Sequence, residues 1–532
     1  MKAILFFLLF AFVSCEAQMS TIAPVMLQRH PGEDSETNAS SQQGVLLIGD
    51  SMISYSADNV AGPTPSANTV FEYDGASIVQ VATGYLINSG NAGTDRGDPW
   101  PRMGIDYFNA TGKKLVFVDA HKYNSTLYKP TASPTLNWIY STSFTKDGLY
   151  TTMKTKADNA LVALGVSKFK GIIINLTTND ITGSDLITDV YQAYDSLISY
   201  LSVDYPNTNI YIITPANPTQ STTQTARSAD IRYNISTLPL RHQNTYVAYN
   251  AMYGLTLGYL DAAPPHMEQA FNNAQGASLA LYLLDTETDG DVRRITNMFF
   301  NPITSTKKSA IRTAILALKA AGCWERLNYF LAPAADNYEN LTMEWTGNVS
   351  PYNVVGGWTF ESGYVRTNGS TTYQQLFYVP SLHTRKGGLN DFLAIEKVID
   401  NQTAAGTLAS IFGTNSSYIV KQLSNSTLRY HANDATNTDT GLETAFQDNT
   451  WYGVARNSST NKILIRGSTT LHNATVTSTA LSTGRQSRGC QAIGSTEFIN
   501  ATHGAFAMAQ YSGFDIATFE SIIDTLEAAL LP

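Results

Sequence analysis

Residues Gly44-Val45-Leu46-Leu47-Ile48-Gly49-Asp50-Ser51-Met52 decide how this chain is read. Four consecutive apolar side chains show no polar alternation, so both faces of the extended segment have to be covered, as in a parallel sheet flanked by helices. The run stops abruptly at Gly49-Asp50-Ser51, which delivers a serine to a turn at the end of a buried strand. A serine so placed can be a nucleophile. No Gly-x-Ser-x-Gly elbow occurs anywhere in the 532 residues, so this stretch has to stand in for it.

The same texture continues downstream. Leu115-Val-Phe-Val118, Gly171-Ile-Ile-Ile-Asn175 and Ile210-Tyr-Ile-Ile-Thr214 are strand-like, and residues 186–201 and 274–284 are helix-like. That alternation predicts an α/β domain with a mostly parallel sheet over residues 44–290. A helical connector is expected over 291–335: Thr304 is placed to open a helix with Ile311, Ala314, Ile315 and Leu318 on one face, and Gly322 to cap it. From 336 to 532, short segments rich in Val, Ile, Tyr, Phe and Thr alternate with Asn, Gly and Ser clusters, the spacing of a β-sandwich. A last amphipathic helix puts Phe519, Ile522, Ile523, Leu526 and Leu530 on one face, against the sandwich.

Upstream, Met1-Lys2 and the apolar run 3–13 read as a secretory signal, with cleavage after Ala17 and a polar linker over 18–43. Phe12-Val-Ser-Cys15 also has the form of a lipobox, in which Cys15 becomes the acylated first residue; membrane contact would then be by lipid. Export is therefore expected, as a free secreted protein or as a lipoprotein or virion-surface component. Cys323 and Cys490 can pair in such a compartment or stay as buried thiols. Fourteen Asn-x-Ser/Thr sequons, Asn109, Asn124, Asn175 and Asn473 among them, are glycan acceptors if the host glycosylates. Charged residues are only 14% and the net charge of -9 is spread along the chain, without a basic stripe, which excludes nucleic acid as a partner. No Cys-x-x-Cys, Cys/His cluster or Ca²⁺-loop spacing points to a metal or other cofactor.

Gly49-Asp50-Ser51 has an ordered set of companions. Asn175-Leu-Thr177-Thr178-Asn179-Asp180 again ends an apolar strand in small polar residues, a pattern that also suits an ordinary Asn-Asp turn. With these two pieces the chain resembles the SGNH (GDSL-type) hydrolases, in the carbohydrate-esterase and sialate O-acetylesterase-like branch. The first family block, G-D-S, is matched by residues 49–51, and the block G-x-N-D by residues 177–180 with Thr177 in place of glycine. Between them the family's Gly-Gly-Thr-Ser is replaced by Tyr123-Asn124-Ser125-Thr126. Of His121, His242 and His266, the last sits where the family has Asp-x-x-His, in Asp261-Ala-Ala-Pro-Pro-His266, with the acid five residues ahead instead of three. A surface histidine is the plainer reading of His266.

The resemblance implies a flavodoxin-like three-layer domain and a carboxylic ester hydrolase removing acyl groups, acetyl above all, from carbohydrate. Ser51 would be the nucleophile, His266 the base and Asp261 its orienting acid. The Ser51 amide, the Asn179 side chain and a backbone amide near Asn124 would form the oxyanion hole, with Asp50 and Asp180 supporting. No cofactor is implied. Asn301-Pro-Ile-Thr-Ser-Thr, its helix, Gly322-Cys-Trp-Glu-Arg-Leu-Asn-Tyr-Phe330 and the β-rich remainder are similar to the laminin-G or concanavalin A-like jelly rolls of phage tail proteins. That likeness implies glycan contact and allows a homo-oligomer. Trp345, Trp358, Trp451 and Tyr418 can stack on sugars or, more often in sandwiches, fill the core. The alternatives are a catalytically inactive SGNH-like scaffold acting as adhesin or virion part, or a lipase or thioesterase of the same fold.

Overall fold

The strand that opens the sequence reading, β1 (Gln42–Gly49), has Val45, Leu46, Leu47 and Ile48 all at 0% exposure. It pairs in parallel with β4 (Lys114–Asp119) on one side and β8 (Gly171–Asn175) on the other. The computed structural model describes residues 41–50, 60–86, 97–133, 135–183, 185–215, 222–250, 269–298, 303–332, 344–346, 353–355, 359–361, 364–371, 373–376, 380, 384–403, 409–413, 418–422, 427–434, 438–443, 446–481, 487–488 and 499–531. The expected signal, the lipobox with Cys15 and the linker up to residue 40 lie outside them; β1 itself starts at Gln42, inside the stretch expected to be linker.

The sheet runs β10 (Thr245–Asn250), β9 (Ile210–Thr214), β8, β1, β4, β2 (Val70–Tyr73), β3 (Ile78–Gln80), and every neighbouring pair is parallel except β2 with β3. Helices cover both faces. Val45 and Leu47 join a core with Trp100, Met103 and Tyr107 of α1 (Trp100–Thr111) and Leu279 and Leu283 of α6 (Gln269–Leu284). Leu46 and Ile48 join another with α2 (Gly148–Leu164), α4 (Ile187–Asp204) and α5 (Thr222–Arg241). From β1 the chain goes one way, to β2 and β3 at the edge and back to β4 beside β1; from β4 it crosses to β8 on the other side and continues to β9 and β10, so the direction of winding reverses across β1. A small sheet of β5 (Thr126–Lys129), β6 (Asn137–Tyr140) and β7 (Thr145–Lys146) follows β4.

The second half is two antiparallel sheets. One is ordered β13 (Thr359–Glu361), β14 (Tyr364–Arg366), β25 (Ala501–Ala509), β16 (Phe392–Asn401), β21 (Thr450–Arg456), β22 (Asn461–Arg466), β23 (Thr469–Thr475), with β11 (Leu327–Leu331) also paired to β25. The other is β12 (Asn353–Val355), β15 (Tyr373–Gln375), β24 (Ser487–Arg488), β17 (Ala409–Gly413), β18 (Tyr418–Gln422), β19 (Thr427–Ala432), β20 (Thr438–Glu443). Phe392, Ala394, Tyr452, Val454 and Phe506 meet Phe412, Leu428 and Tyr430 between the sheets. The alternate residues Leu393, Ile395, Trp451 and Ala455 face outward onto α9 (Ile516–Leu530), the two-residue period of a strand covered on both sides. Because β11 belongs to this sandwich, the sheet takes in residues from the stretch expected to be a connector.

The join is apolar. α7 (Gly290–Met298) and α8 (Ser305–Ala320) contribute Val292, Ile295, Ile311, Ile315 and Leu318 to the same core that holds Val45 at one end and Phe519 at the other. α8 starts as its sequence requires, with the Thr304 side chain accepting from Lys307 N at 3.2 Å, and ends at Gly322, whose φ of 66° a residue with a Cβ adopts only at a cost. Cys323 is a buried free thiol whose Sγ donates to Asp515 O at 3.6 Å; Cys490 lies outside the described residues. Trp345 and Trp451 are core, 2% and 4% exposed, so they are not a sugar-stacking surface; Trp358 lies outside the described residues.

Phe519 of α9 sets its ring against Phe330, Trp451 and Phe514, beside the buried Ile523, Leu526 and Leu530. Phe519→Ala is expected to destabilise the sandwich by about 3–5 kcal/mol, measured as a lower urea midpoint at unchanged slope, while Val162→Ala at an exposed position shifts it by under about 0.5 kcal/mol.

Candidate functional site

The carboxyl ends of β1, β4 and β8 converge, and the pieces singled out in the sequence meet there. Asp50 N donates to Asn175 O at 3.1 Å, and Lys122 N donates to Gly49 O at 3.0 Å, so the end of β1 is clamped from both sides. Ser125 Oγ reaches Gly49 O at 3.5 Å and accepts from Trp138 Nε1 at 3.2 Å. The Asn179 side-chain amide, at the start of α3 (Thr178–Thr182), donates to Ser125 O at 2.8 Å. Asp50 is fully buried beneath this junction.

The two departures from the glycines of the resembled family are informative. Asn124 has φ of 55° and Thr177 φ of 88°, both in the left-handed region. Asparagine tolerates that region; a β-branched threonine does so only at a cost of about 1–3 kcal/mol. The backbone thus keeps a glycine-type path at both positions despite the side chains. Asn124 is exposed, whereas Asn175, also in a sequon, is buried at 2% and inaccessible to a glycan in the folded chain.

Asp180 sits behind the junction. Its carboxylate accepts from Leu127 N at 2.9 Å and Tyr128 N at 3.2 Å, tying α3 to β5. Burial pushes its carboxyl up to about 6, against the pull of those two N–H groups. Tyr194 of α4 is buried nearby with no partner for its hydroxyl among the described residues; burial, then the charges of Asp50 and Asp180, hold it well above the ordinary phenol value.

The structure adds a dyad that the sequence reading passed over. Asp119 ends β4 and its Oδ1 accepts from His121 N at 3.1 Å and bonds His121 Nδ1 at 2.8 Å. Burial works against a charged imidazole, but the charge and hydrogen bond of Asp119 outweigh it and hold His121 above its usual value, with Asp50 acting in the same direction. The signal was present as Asp-x-His at the end of an apolar strand. Leu47 is opposite Asp119 in the register, so this dyad flanks the end of β1.

Ser51, Asp261 and His266 lie outside the described residues, so the site's described part is Asp50, Asn124, Asn179 and Asp180. Asp50, Asn179 and Asp180 are brought together; Asn124 is the exposed corner of the adjoining loop. Among the described residues no group of three or more His, Cys, Asp or Glu is placed to hold a metal ion, and no helix is long and apolar enough to cross a membrane.

No protein-family model matches the chain, and no curated protein matches it. Among solved structures it is similar to domain 4 of AbnA, a GH43 extracellular arabinanase from Geobacillus stearothermophilus in complex with arabinotriose (11% identity, 38% of this chain and 98% of that one, TM-score 0.28). It is also similar to a botulinum neurotoxin serotype D/C binding domain (13%, 37% and 53%, TM-score 0.30) and to a protein from Arabidopsis thaliana (15%, 47% and 99%, TM-score 0.34). The chain spans about half the length of the botulinum binding domain it matches. At these scores the likenesses carry nothing about function.

The raised carboxyl of Asp180 gives a pH signature. Between its unfolded value near 3.8 and about 6, the folded chain holds a proton that the unfolded chain has released, so this contribution is fully present below pH 4 and is lost as pH rises through 6. The loss is of the order of 3 kcal/mol. In urea unfolding the wild type is expected to lose stability between pH 4 and pH 7.5, and Asp180→Asn, which has one acceptor oxygen for the two N–H groups and no proton to release, is expected to lack that slope whatever its absolute stability; equal slopes in the two proteins contradict the assignment.

Proposed function

We propose that the chain is a serine esterase that removes acyl groups, acetyl first among them, from carbohydrate, with Ser51 as nucleophile. The observation that carries this reading is the Asn179 side-chain amide bonded to Ser125 O beside the clamped end of β1, where Gly49 and Asp50 adjoin residues 122–125 and 175–179. The winding reversal across β1 supports it, since open α/β sheets bind ligands outside the carboxyl ends of the strands at such a point. In this reading the first half is a flavodoxin-like domain of SGNH type and the second a laminin-G or concanavalin A-like jelly roll that contacts glycan.

The chemistry follows from the residue types. The Ser51 hydroxyl attacks the ester carbonyl while His266, oriented by Asp261, takes its proton. The oxyanion that forms is met by the Ser51 amide, an Asn179 N–H and a backbone amide near Asn124. The proton passes from His266 to the departing sugar oxygen, leaving an acyl-enzyme; water attacks next, its proton taken by His266, and releases the carboxylic acid and Ser51.

One observation favours the second reading, an inactive scaffold. Ser125 N donates to Lys122 O at 3.2 Å, which turns that amide of the loop back on its own chain. Hydrolysis of a short aryl acetate and of an acetylated xylan separates the two. Wild type is expected to turn over both; Ser51→Ala should lose about 10³-fold or more in kcat, and Asn179→Ala about 10²–10³-fold with little change in KM. No turnover by wild type supports the scaffold reading instead, and full activity in Ser51→Ala contradicts Ser51 as the nucleophile. A glycan array probed with the full chain tests the sandwich: sugar binding retained in Ser51→Ala supports glycan contact outside the crevice.

A further inference from the structure

Arg232 on α5 is 0% exposed and short of partners. Its Nη1 donates to Ser228 Oγ at 2.7 Å and Pro215 O at 3.2 Å, while Nε and Nη2 are buried with no hydrogen-bond partner among the described residues. Neither acceptor is charged. Burial alone pushes the guanidinium down to about 9, with no acid to hold it up, so the group is still cationic at neutral pH. A buried charge without a counter-charge is among the most expensive features a fold can carry.

The open atoms have a specific shape. Nε–H and the adjacent Nη2–H leave one edge of the guanidinium in parallel, which is the fork that takes two oxygens of one carboxylate. A water at either position would satisfy an N–H but would supply no charge. Arg227 on the same helix is held otherwise: its Nη1 and Nη2 donate to Asp185 O and Asp180 O at 2.8 and 2.7 Å, both backbone carbonyls, and its Nε is buried without a partner among the described residues. Five positions apart on a helix, the two guanidiniums point to different sides of α5, so each needs its own account. Arg232 is the buried one. Pro215 directly follows β9, so the bond to its carbonyl holds the Arg232 guanidinium by the carboxyl end of that strand, and β9 is itself separated from β1 by β8 alone.

We propose that the Nε–Nη2 edge of Arg232 is the binding site of a carboxylate at the carboxyl edge of the sheet. Two sources share that chemistry: the carboxylate of an acidic sugar in the acylated polymer, and a small free carboxylate such as the released acid. The acidic sugar is the favoured source where the crevice is the substrate site, and that part alone rests on the esterase reading.

The test is thermal unfolding of the full chain in chloride, acetate, glucuronate and glucose at matched ionic strength. Wild type should gain about 2 °C or more in glucuronate over chloride, with glucose without effect. Arg232→Met should lose that gain, and Arg232→Lys, which keeps the charge without the fork, should need at least about tenfold more anion if the methionine variant does not fold. Glucuronate acting at lower concentration than acetate supports the acidic sugar; equal action supports the site but overturns that source. No carboxylate effect in wild type, or the same effect in Arg232→Met, overturns the proposal. Ser51→Ala should respond as wild type does, so an inactive esterase leaves this result standing.

Discussion

A strand buried on both faces has no water for its backbone, so every group along it must be satisfied by the strands beside it. β1 meets that constraint by pairing in parallel with β4 and β8 along its length, and the last bonds, Lys122 N to Gly49 O and Asp50 N to Asn175 O, close its end. Those bonds fix where the chain leaves the sheet. They also bring the loop after β4 and the turn after β8 to the same point, so the site's geometry is a consequence of how the sheet's central strand is terminated. Thr177 shows how firmly this is held: a β-branched residue is kept in a left-handed conformation rather than the turn being rebuilt around it.

The apolar pattern carried the layers well, because continuous burial and two-residue alternation are written directly into residue order. Val45 to Ile48, Ile172 to Ile174 and Ile210 to Ile213 read as covered strands and are. Thr304 and Gly322 bounded their helix for reasons local to the chain. What sequence pattern does not report is partnership across the fold. Nothing in residues 327–331 says that they pair with 506–509, nor that Asn124 and Thr177 take glycine-like backbone angles, since both depend on residues far along the chain. The Asp119–His121 dyad was passed over for a related reason: a lone Asp-x-His acquires meaning only when β1 is known to lie beside it.

The same limit hid the polar interior of the sandwich. Glu396 accepts from Arg488 Nε at 3.0 Å and bonds His503 Nδ1 at 2.6 Å, and Asp434 pairs with Arg456 at 3.2 Å and Lys462 at 3.0 Å, all essentially unexposed. In a chain with so few charged residues these are costly placements, and apolar replacements often match or exceed such groups in stability. Here Arg488 of β24 reaches Glu396 of β16, one ion pair spanning both sheets, which selects how the sheets face each other. Arg232 differs from them in one respect: its charge is unmatched.

The proposed esterase requires an activated serine just beyond the end of β1. Reaction of the full chain with a fluorophosphonate, followed by peptide mass spectrometry, tests it without choosing a substrate. A single adduct is expected on the peptide that contains Ser51, formed faster as pH rises through the titration of the base. An unmodified Ser51, or an adduct placed only on another residue, contradicts it.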